Sequence, residues 1–255
     1  MHQPEWYPHP VQEVKLVETH ISYVFLTEDY VYKVKKDLDL GFLDFSSLAK
    51  REFYCREELR LNRRLAPDMY LEVLAVRKDR QDRLVLEQDA EGEIIEYCLK
   101  MIRLPEEGML PGLLEHGQAD TSLFVSLAER LVRFHGAAEP IDPEHAAEAV
   151  RTLRTNMNEN FAQTRDLRGR ALTPLRYRTL QDYSQWFFRS HQEILAERAR
   201  GGRFREGHGD LRMEHVCVYK GDLYIFDCIE FNERFRFIDV AADLSFLIMD
   251  LEYNG

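Results

Sequence analysis

The sequence has no apolar run approaching the ~18 residues needed to span a bilayer, and no basic and apolar leader at its start. It also has no internal repeat and no low-complexity linker. Its net charge is −11, and such an acidic chain gains no electrostatic attraction to nucleic acid or to an anionic membrane. We therefore expect a cytoplasmic protein with neither nucleic acid nor a membrane as partner.

Cysteine is scarce, and its spacing matches no common metal or redox motif. The four residues are Cys55, Cys98, Cys217 and Cys228. None forms a C-x-x-C pair, and none lies beside a histidine at zinc-finger spacing. Three of the four lie in apolar stretches, where cysteine behaves as a small buried hydrophobe. We predict four free thiols in a reducing compartment.

The first third of the chain has the pattern of strands with one helix. Tyr23–Leu26 and Tyr30–Lys35 flank a short polar turn and predict a β-hairpin. Ser46 or Ser47 can cap a helix that runs to about Leu65 and ends before Pro67. On that helix Tyr54, Glu58, Leu61 and Leu65 share one face. Further strands are predicted at Leu71–Val76, Arg83–Gln88 and Ile94–Leu104.

From about residue 110 the pattern becomes helical. Helices are predicted at 122–134, 144–165, 174–199 and from about 239, with a short β-hairpin at 216–227. Strands followed by helices favour an α+β fold, and 255 residues with 45% hydrophobic side chains can bury a sizeable core. We predict two lobes, residues 1–104 and residues 105–255.

The densest group of reactive side chains begins at His208-Gly209-Asp210 and ends at Asp227. A two- or three-residue loop at Gly221 pairs Tyr219 or Lys220 with Leu223. That register places residue 215 or 216 opposite Asp227, so both carboxylates lie at the open end of one hairpin. Such a pair suits metal-assisted phosphoryl transfer, in which one carboxylate deprotonates a hydroxyl and the other holds Mg²⁺.

Five stretches carry a resemblance to a known family. They are Leu40–Ser46, Glu58–Pro67, His208–Leu211, Phe226–Asn232 and Ile238–Leu244. Together they resemble the aminoglycoside-phosphotransferase-like kinases, and more closely a bacterial branch often fused to a C-terminal P-loop kinase domain. The resemblance covers nearly the whole chain. It implies a bilobal protein-kinase-like fold: an antiparallel sheet with one helix in the N-lobe, and a mainly helical C-lobe that carries the catalytic hairpin.

The resemblance also implies roles for individual residues. Asp210 would be the catalytic base in a loop that includes His208, and Asp227 the principal Mg²⁺ ligand. Lys33 would contact the α- and β-phosphates of ATP, and Glu58 would pair with it. Lys35 shares the strand face of Lys33 and is the alternative lysine. For the glutamate the alternative is Glu57, although Glu58 lies on the apolar stripe of its helix.

Other positions follow from their place along the chain. His20 and Ser22 precede the first hairpin, where kinases place a phosphate-covering loop. No G-x-G-x-x-G occurs there, so this role rests on position alone. The stretch Tyr97–Pro105 would link the lobes and frame the adenine.

One position departs from the family pattern. Five residues after Asp210 the family usually has an asparagine that helps to bind Mg²⁺, and this chain has His215. Imidazole is a poor Mg²⁺ ligand and suits softer metals. Three outcomes stay open: Glu214 substitutes, His215 meets the phosphate directly, or one metal site is lost.

Three further side chains have two interpretations each. Asp239 opens a helix and fits an N-cap, which is compatible with bracing the catalytic loop. Asp243, one turn on, fits either a second brace or an exposed position. His135 ends an amphipathic helix, where it fits a partner of the helix dipole better than a catalyst.

These features together predict an ATP- and Mg²⁺-dependent phosphotransferase that acts on a hydroxyl, most simply of a small molecule. A P-loop kinase domain, fused or separate, is the partner that the resemblance implies. The alternative is a nucleotide-binding pseudokinase that regulates a partner or a fused domain, favoured by His215 and by the absence of a glycine-rich loop. A third interpretation is nucleotidyl transfer to a protein.

Overall fold

The computed structural model describes residues 1–81, 83–86 and 91–254. Six strands form one antiparallel sheet in the order β1-β2-β3-β6-β4-β5. Their bounds are β1 Lys15–Glu18, β2 Ser22–Leu26, β3 Tyr30–Lys35, β4 Tyr70–Lys78, β5 Leu84–Val85 and β6 Glu93–Ile102. The predicted hairpin is confirmed as β2 and β3, and the strands predicted at 71–76 and 94–104 are confirmed as β4 and β6. The strand predicted at 83–88 is seen as β5, and its last two residues lie outside the described part.

The helix predicted after the first hairpin is confirmed as α1, Leu48–Asn62, with Ser47 as its N-cap. The hydroxyl of Ser47 accepts a hydrogen bond from the Lys50 amide at 3.3 Å. The helix lies against β4 and β6. Its inward face buries Glu58 and Leu61 completely, so the predicted stripe carries a carboxylate into the interior.

The second part of the chain is mainly helical. The helices are α2 Leu110–Glu115, α3 Thr121–Ala137, α4 Ala146–Gln163, α5 Pro174–Ser190, α6 Gln192–Arg200, α7 Glu233–Arg236 and α8 Val240–Asn254. The single helix predicted over 174–199 was wrong, because His191 leaves helical geometry and separates α5 from α6. An imidazole nitrogen of His191 lies 3.0 Å from the carbonyl oxygen of Phe187 and closes the end of α5.

Two short ladders complete the fold. Strand β7, Phe204–Glu206, pairs antiparallel with β10, Phe237–Asp239. Strands β8, Val216–Tyr219, and β9, Asp222–Ile225, form the predicted late hairpin. This mixture of an antiparallel sheet with separate helices is compatible with the predicted α+β class.

Apolar clusters pack both against the sheet and among the helices, and α1 contributes to clusters of both kinds. Leu61 and Leu65 pack with Leu110, Leu131 and Leu211 in the helical cluster, while Leu59 packs with the sheet residues. The four cysteines are free and buried, as predicted. Within the described ranges, no helix is long and apolar enough to cross a membrane.

Candidate functional site

The hairpin β8–β9 sets the position of Asp227. Its register pairs Tyr219 with Asp222 across a two-residue turn, Lys220-Gly221. Both turn residues have positive φ, 53° and 86°, as the tight turns of twisted hairpins require. The predicted register was therefore wrong by at least one residue, because Tyr219 pairs with Asp222 and neither Tyr219 nor Lys220 pairs with Leu223. The Phe226 amide still donates to the His215 carbonyl at 3.0 Å, so the ladder ends one residue before Asp227.

Asp227 turns sharply away from the strand. Its φ is +66°, a left-handed conformation that aspartate tolerates better than most residues. Its amide donates to the hydroxyl oxygen of Tyr70 at 3.2 Å, and its side chain remains 43% exposed. The turn thus places a half-exposed carboxylate against strands β3 and β4, beside Lys33 and Tyr70.

Lys33 joins that carboxylate to helix α1. Its Nζ donates to Glu58 Oε1 and to Asp227 Oδ1, both at 2.7 Å. Lys35 Nζ donates to the other Glu58 oxygen, Oε2, at 2.8 Å, and to the carboxylate of Glu230. Both predicted lysines therefore bind Glu58, but Lys33 is the one that reaches Asp227.

Glu57, the alternative to Glu58, faces elsewhere. Its carboxylate is 3.0 Å from the guanidinium of Arg60, one turn along α1. The geometry therefore selects Glu58, as the apolar stripe of the helix predicted.

Burial opposes every charge in this cluster, and the ion pairs outweigh it. Burial lowers the pKa of Lys33, but Asp227 and Glu58 together raise it well above the usual lysine value. Burial raises the pKa of Glu58, but Lys33 and Lys35 bring it below the usual value. Desolvation likewise opposes ionisation of Asp227, whose pKa the ammonium of Lys33 holds below its usual range. All three groups are charged at neutral pH.

The loop that carries Asp210 is held by a buried carboxylate on α8. Asp243 is fully buried, and its two oxygens accept hydrogen bonds from the amides of His208 at 2.8 Å and Gly209 at 2.9 Å. His135 Nε2 lies 2.9 Å from the same carboxylate. Of the two interpretations of Asp243, the structure therefore supports the brace, and His135 is its partner from α3.

Asp239 caps α8 and also anchors α6. Its Oδ1 accepts from the Ala241 amide at 2.8 Å, which confirms the N-cap. The guanidinium of Arg198 binds the same carboxylate through two nitrogens, at 2.6 and 2.7 Å.

His208 lies inside the loop with both ring nitrogens engaged. The carbonyl of Phe226 accepts from Nε2 at 2.8 Å, and the amide of Asp210 donates to Nδ1 at 3.3 Å. A carbonyl only accepts, so the proton is on Nε2. Burial lowers the pKa of His208 to about 4. The sequence placed His208 with the catalytic residues; its contacts are those of a positioning residue that ties the loop to the strand before Asp227.

Asp210 and His215 lie at the open side of this loop. His215 Nδ1 is 2.8 Å from the main-chain oxygen of Asp210. Its Nε2 is 3.7 Å from Asp227 Oδ2 and 3.8 Å from Glu214 Oε1. Burial raises the pKa of Asp210 above the usual value, with His215 opposing and Asp227 reinforcing the rise. The hairpin thus brings Asp210, His215 and Asp227 together, as the sequence predicted in spite of the wrong register.

A cavity of about 320 Å³ opens beside Lys33 and Asp227. Its walls are mostly apolar and come from strands β2, β3 and β6 and from the turn after α1: Val24, Leu26, Val31, Met69, Met101 and Leu104. The predicted adenine-framing stretch 97–105 contributes Met101 through Leu104 to this wall. The cavity therefore pairs an apolar chamber with a charged rim.

Neither of the predicted phosphate-covering residues, His20 and Ser22, lines the cavity. Thr19 lines it, whereas His20 is exposed. Ser22 is fully buried in β2, and its Oγ has no hydrogen-bond partner among the described residues. Sequence reasoning missed Thr19, although it precedes the two residues chosen. It also missed Tyr70 and Glu230, because a lone tyrosine in a strand and a lone glutamate in a loop carry no local signal of a site.

The donor atoms can be compared with what Mg²⁺ requires. Among the described residues, no group of three or more His, Cys, Asp or Glu side chains is arranged to hold a metal ion. Mg²⁺ in nucleotide sites commonly uses one or two carboxylates and takes its remaining ligands from phosphates and water. Asp227, half-exposed at the cavity rim, fits that pattern.

No protein-family model matches the chain. Curated relatives are uncharacterised proteins of Mycobacterium tuberculosis, strains H37Rv and CDC 1551, and of Mycobacterium bovis. Each is 28% identical over 250 residues, which are 97% of this chain and 48% of the relative. The chain therefore spans about half the length of the curated relatives it matches, and their names add no activity.

Proposed function

We propose that this protein is an ATP-dependent phosphotransferase that moves the γ-phosphate to a hydroxyl of a small-molecule acceptor. The observation that carries the proposal is the position of Lys33, whose Nζ lies 2.7 Å from both Glu58 and Asp227. Lys33 and Asp227 line an apolar cavity, and Glu58 holds Lys33 from the buried side. A cation held between two carboxylates beside an apolar chamber suits a ligand with a flat apolar base and a chain of phosphates.

The proposal includes a bilobal, protein-kinase-like arrangement with lobes at 1–104 and 105–255. The separation of the six-stranded sheet from the later helices supports it. So does the cavity, whose walls combine strand residues such as Val31 with Phe226 and Asp227 from beyond residue 200. The partner P-loop kinase domain remains a prediction from the resemblance.

In this proposal the base occupies the apolar cavity and Lys33 binds the α- and β-phosphates. Glu58 orients Lys33, and Lys35 holds the second oxygen of Glu58 so that this carboxylate cannot rotate away. Asp227 would hold Mg²⁺, which neutralises the negative charge of the phosphates. Lys33 would then shift its contact from Asp227 to phosphate oxygens.

Asp210 accepts the proton of the acceptor hydroxyl while that oxygen bonds to the γ-phosphorus and ADP leaves. The raised pKa of Asp210, caused mainly by burial, brings it closer to the working pH and makes it a stronger base. Asp243 fixes the loop through two amides, so the carboxylate is held in place before the substrates arrive.

One observation favours a second candidate, a nucleotide-binding pseudokinase. His215 Nε2 stands 3.7 Å from Asp227 Oδ2, where the family has an asparagine oxygen for the metal. If the imidazole excluded the metal, ATP would still bind at the cavity without being consumed.

Asp210→Ala separates catalysis from binding. We expect ATP consumption with a panel of hydroxyl acceptors to fall at least about 10³-fold, while the thermal shift produced by ATP and Mg²⁺ stays close to wild type. Asp166→Ala, at an exposed position in a short 3-10 turn, is the matched control and should keep full activity. Unchanged turnover in Asp210→Ala would refute the proposal. If the wild-type protein binds ATP but does not consume it, the pseudokinase is favoured.

A further inference from the structure

His215 is held so that one ring nitrogen is committed and the other is directed at the rim. The main-chain oxygen of Asp210 lies 2.8 Å from Nδ1. Since a carbonyl oxygen only accepts, Nδ1 carries the proton, and Nε2 of the neutral ring presents a lone pair. The structure therefore sets the tautomer of His215, as a second hydrogen bond does for most metal-binding histidines.

The ring is also fixed in orientation. His215 stacks on His208 with centroids 5.9 Å apart and an interplanar angle of 22°. Phe226 lies on another side, with its ring centroid at 6.0 Å. The side chain is only 10% exposed, so Nε2 cannot swing freely into solvent.

Two carboxylates stand near Nε2, and they differ in what else holds them. Asp227 Oδ2 is 3.7 Å away, and Lys33 contacts the other oxygen of that carboxylate. The oxygen on the His215 side therefore remains able to take a cation. Glu214 Oε1, at 3.8 Å, is 2.8 Å from the guanidinium of Arg212. Asp227 is thus the better partner of His215.

An imidazole nitrogen beside a carboxylate oxygen is a donor pair for first-row transition ions and a poor one for Mg²⁺. Mn²⁺ accepts carboxylate and phosphate oxygens as Mg²⁺ does, and it stands in the same series as the ions that imidazole binds.

We propose that His215 is a metal ligand, and that its Nε2 and Asp227 Oδ2 bind Mn²⁺ together with nucleotide phosphate oxygens and water. This assignment rests on the proposed function, because the nucleotide supplies the remaining donors. In this proposal, His215 at the position of the family's asparagine selects Mn²⁺ over Mg²⁺.

The test uses the full chain with Mn²⁺ and a non-hydrolysable ATP analogue, and its readout is spectroscopic. Electron spin-echo modulation detects a directly bound imidazole through its ¹⁴N nucleus. We expect this modulation in the wild type and in His145→Asn, an exposed control, and its loss in His215→Asn. In competition titrations, His215→Asn should lower the preference for Mn²⁺ over Mg²⁺ about tenfold.

The outcomes separate the metal assignment from the proposed function. If the analogue and Mn²⁺ bind but the modulation is absent, or is unchanged in His215→Asn, the metal assignment is wrong and the proposed function stands. An unchanged metal preference in His215→Asn overturns the assignment in the same way. Failure of the analogue to bind the wild type would overturn the proposed function itself.

Discussion

Glu58 gives one carboxylate oxygen to each of two lysines, and that single residue organises the charged cluster. It is fully buried, so its desolvation is offset only while both Lys33 and Lys35 remain paired with it. Lys35 in turn is the main partner of Glu230. Burial raises the pKa of Glu230, and the positive charge of Lys35 opposes that rise. Lys35, which does not line the cavity, thus supports Lys33, which does.

Lys35→Met should be strongly destabilising. It leaves Glu230 buried without its cation and removes half of the pairing of Glu58, which costs about 3 kcal/mol in the free energy of unfolding. Urea denaturation measures this loss. In the double variant Lys35→Met/Glu230→Gln, which no longer buries a carboxylate at residue 230, we expect a good part of the loss to be recovered. Additive losses in the double variant would contradict this view of the pair.

The buried His208 predicts a specific dependence of stability on pH. Its folded pKa of about 4 is below the ~6.5 of an unfolded histidine. The unfolded chain therefore takes up a proton between these values, and stability is lost as pH falls from 6.5 toward 4. Its share of that loss is at most about 3 kcal/mol.

Urea denaturation between pH 4.5 and 7 tests this dependence. In His208→Gln the slope of unfolding free energy against pH should fall by an amount that corresponds to the uptake of close to one proton on unfolding. The exposed control His145→Gln should keep the wild-type slope. Equal slopes in all three proteins would show that His208 does not titrate as its burial implies.

Among the elements, the hairpin β8–β9 has a turn that is not optimal. Lys220 adopts a φ of +53° and is exposed, and a left-handed conformation is unfavourable for lysine but tolerated by asparagine. Lys220→Asn should therefore stabilise the protein by about 0.5 kcal/mol and leave nucleotide binding unchanged. Thermal denaturation measures the gain, and Gly221→Ala, at φ +86°, should instead destabilise it.

The elements also show what local pattern could and could not predict. Ser47 and the apolar stripe predicted α1 because capping and periodicity are local properties of the chain. The break at His191 was not predicted, because the sequence around it keeps a helical pattern. The contact of the His191 side chain with the Phe187 carbonyl lies at the end of α5. The hairpin register was wrong because turn type depends on backbone dihedrals that Lys220 does not favour.

At the scale of the whole molecule, Glu206 links the two parts of the fold. Its carboxylate accepts hydrogen bonds from Arg60 in α1 at 2.8 Å, from Arg64 just after α1 at 3.1 Å, and from Arg236 in α7 at 3.1 Å. Arg64 also donates to the Gly207 carbonyl at 3.0 Å, next to the loop of Asp210. The helix that carries Glu58 is thereby tied to the loop that carries Asp210.

The candidate site could be predicted only in part, because many of its contacting residues lie far apart in the sequence. Asp210 and Asp227 were predicted from one hairpin, whereas Lys33 lies 194 residues from Asp227 and was placed through the family resemblance. The brace Asp243 and the second pair Lys35–Glu230 were not resolved in advance. Their partners are distant in sequence, so the local sequence does not show which groups bind these carboxylates.

Binding of nucleotide should stabilise the whole fold. A ligand that binds only the folded state at 100 times its Kd adds about 2.7 kcal/mol, so ATP with a divalent ion should raise Tm by several degrees. Lys33→Met should lower the Tm of the free protein, because Glu58 loses one of its two cations. It should also lose most of the ATP-induced shift, because the phosphates lose the ammonium of Lys33. Lys50→Met, which removes the exposed pair with Asp44, is the control. A full shift in Lys33→Met would contradict binding at this cavity.

The four buried cysteines make opening of each part of the molecule measurable. Cys55 and Cys98 lie in α1 and β6, while Cys217 lies in β8 and Cys228 directly follows Asp227. Burial raises the pKa of all four thiols, so a thiol reagent reacts only after local unfolding exposes them. Labelling rates followed by mass spectrometry would therefore report one opening free energy for the part around Cys55 and Cys98 and another for the part around Cys217 and Cys228. A ligand in the cavity should slow labelling of Cys228 most.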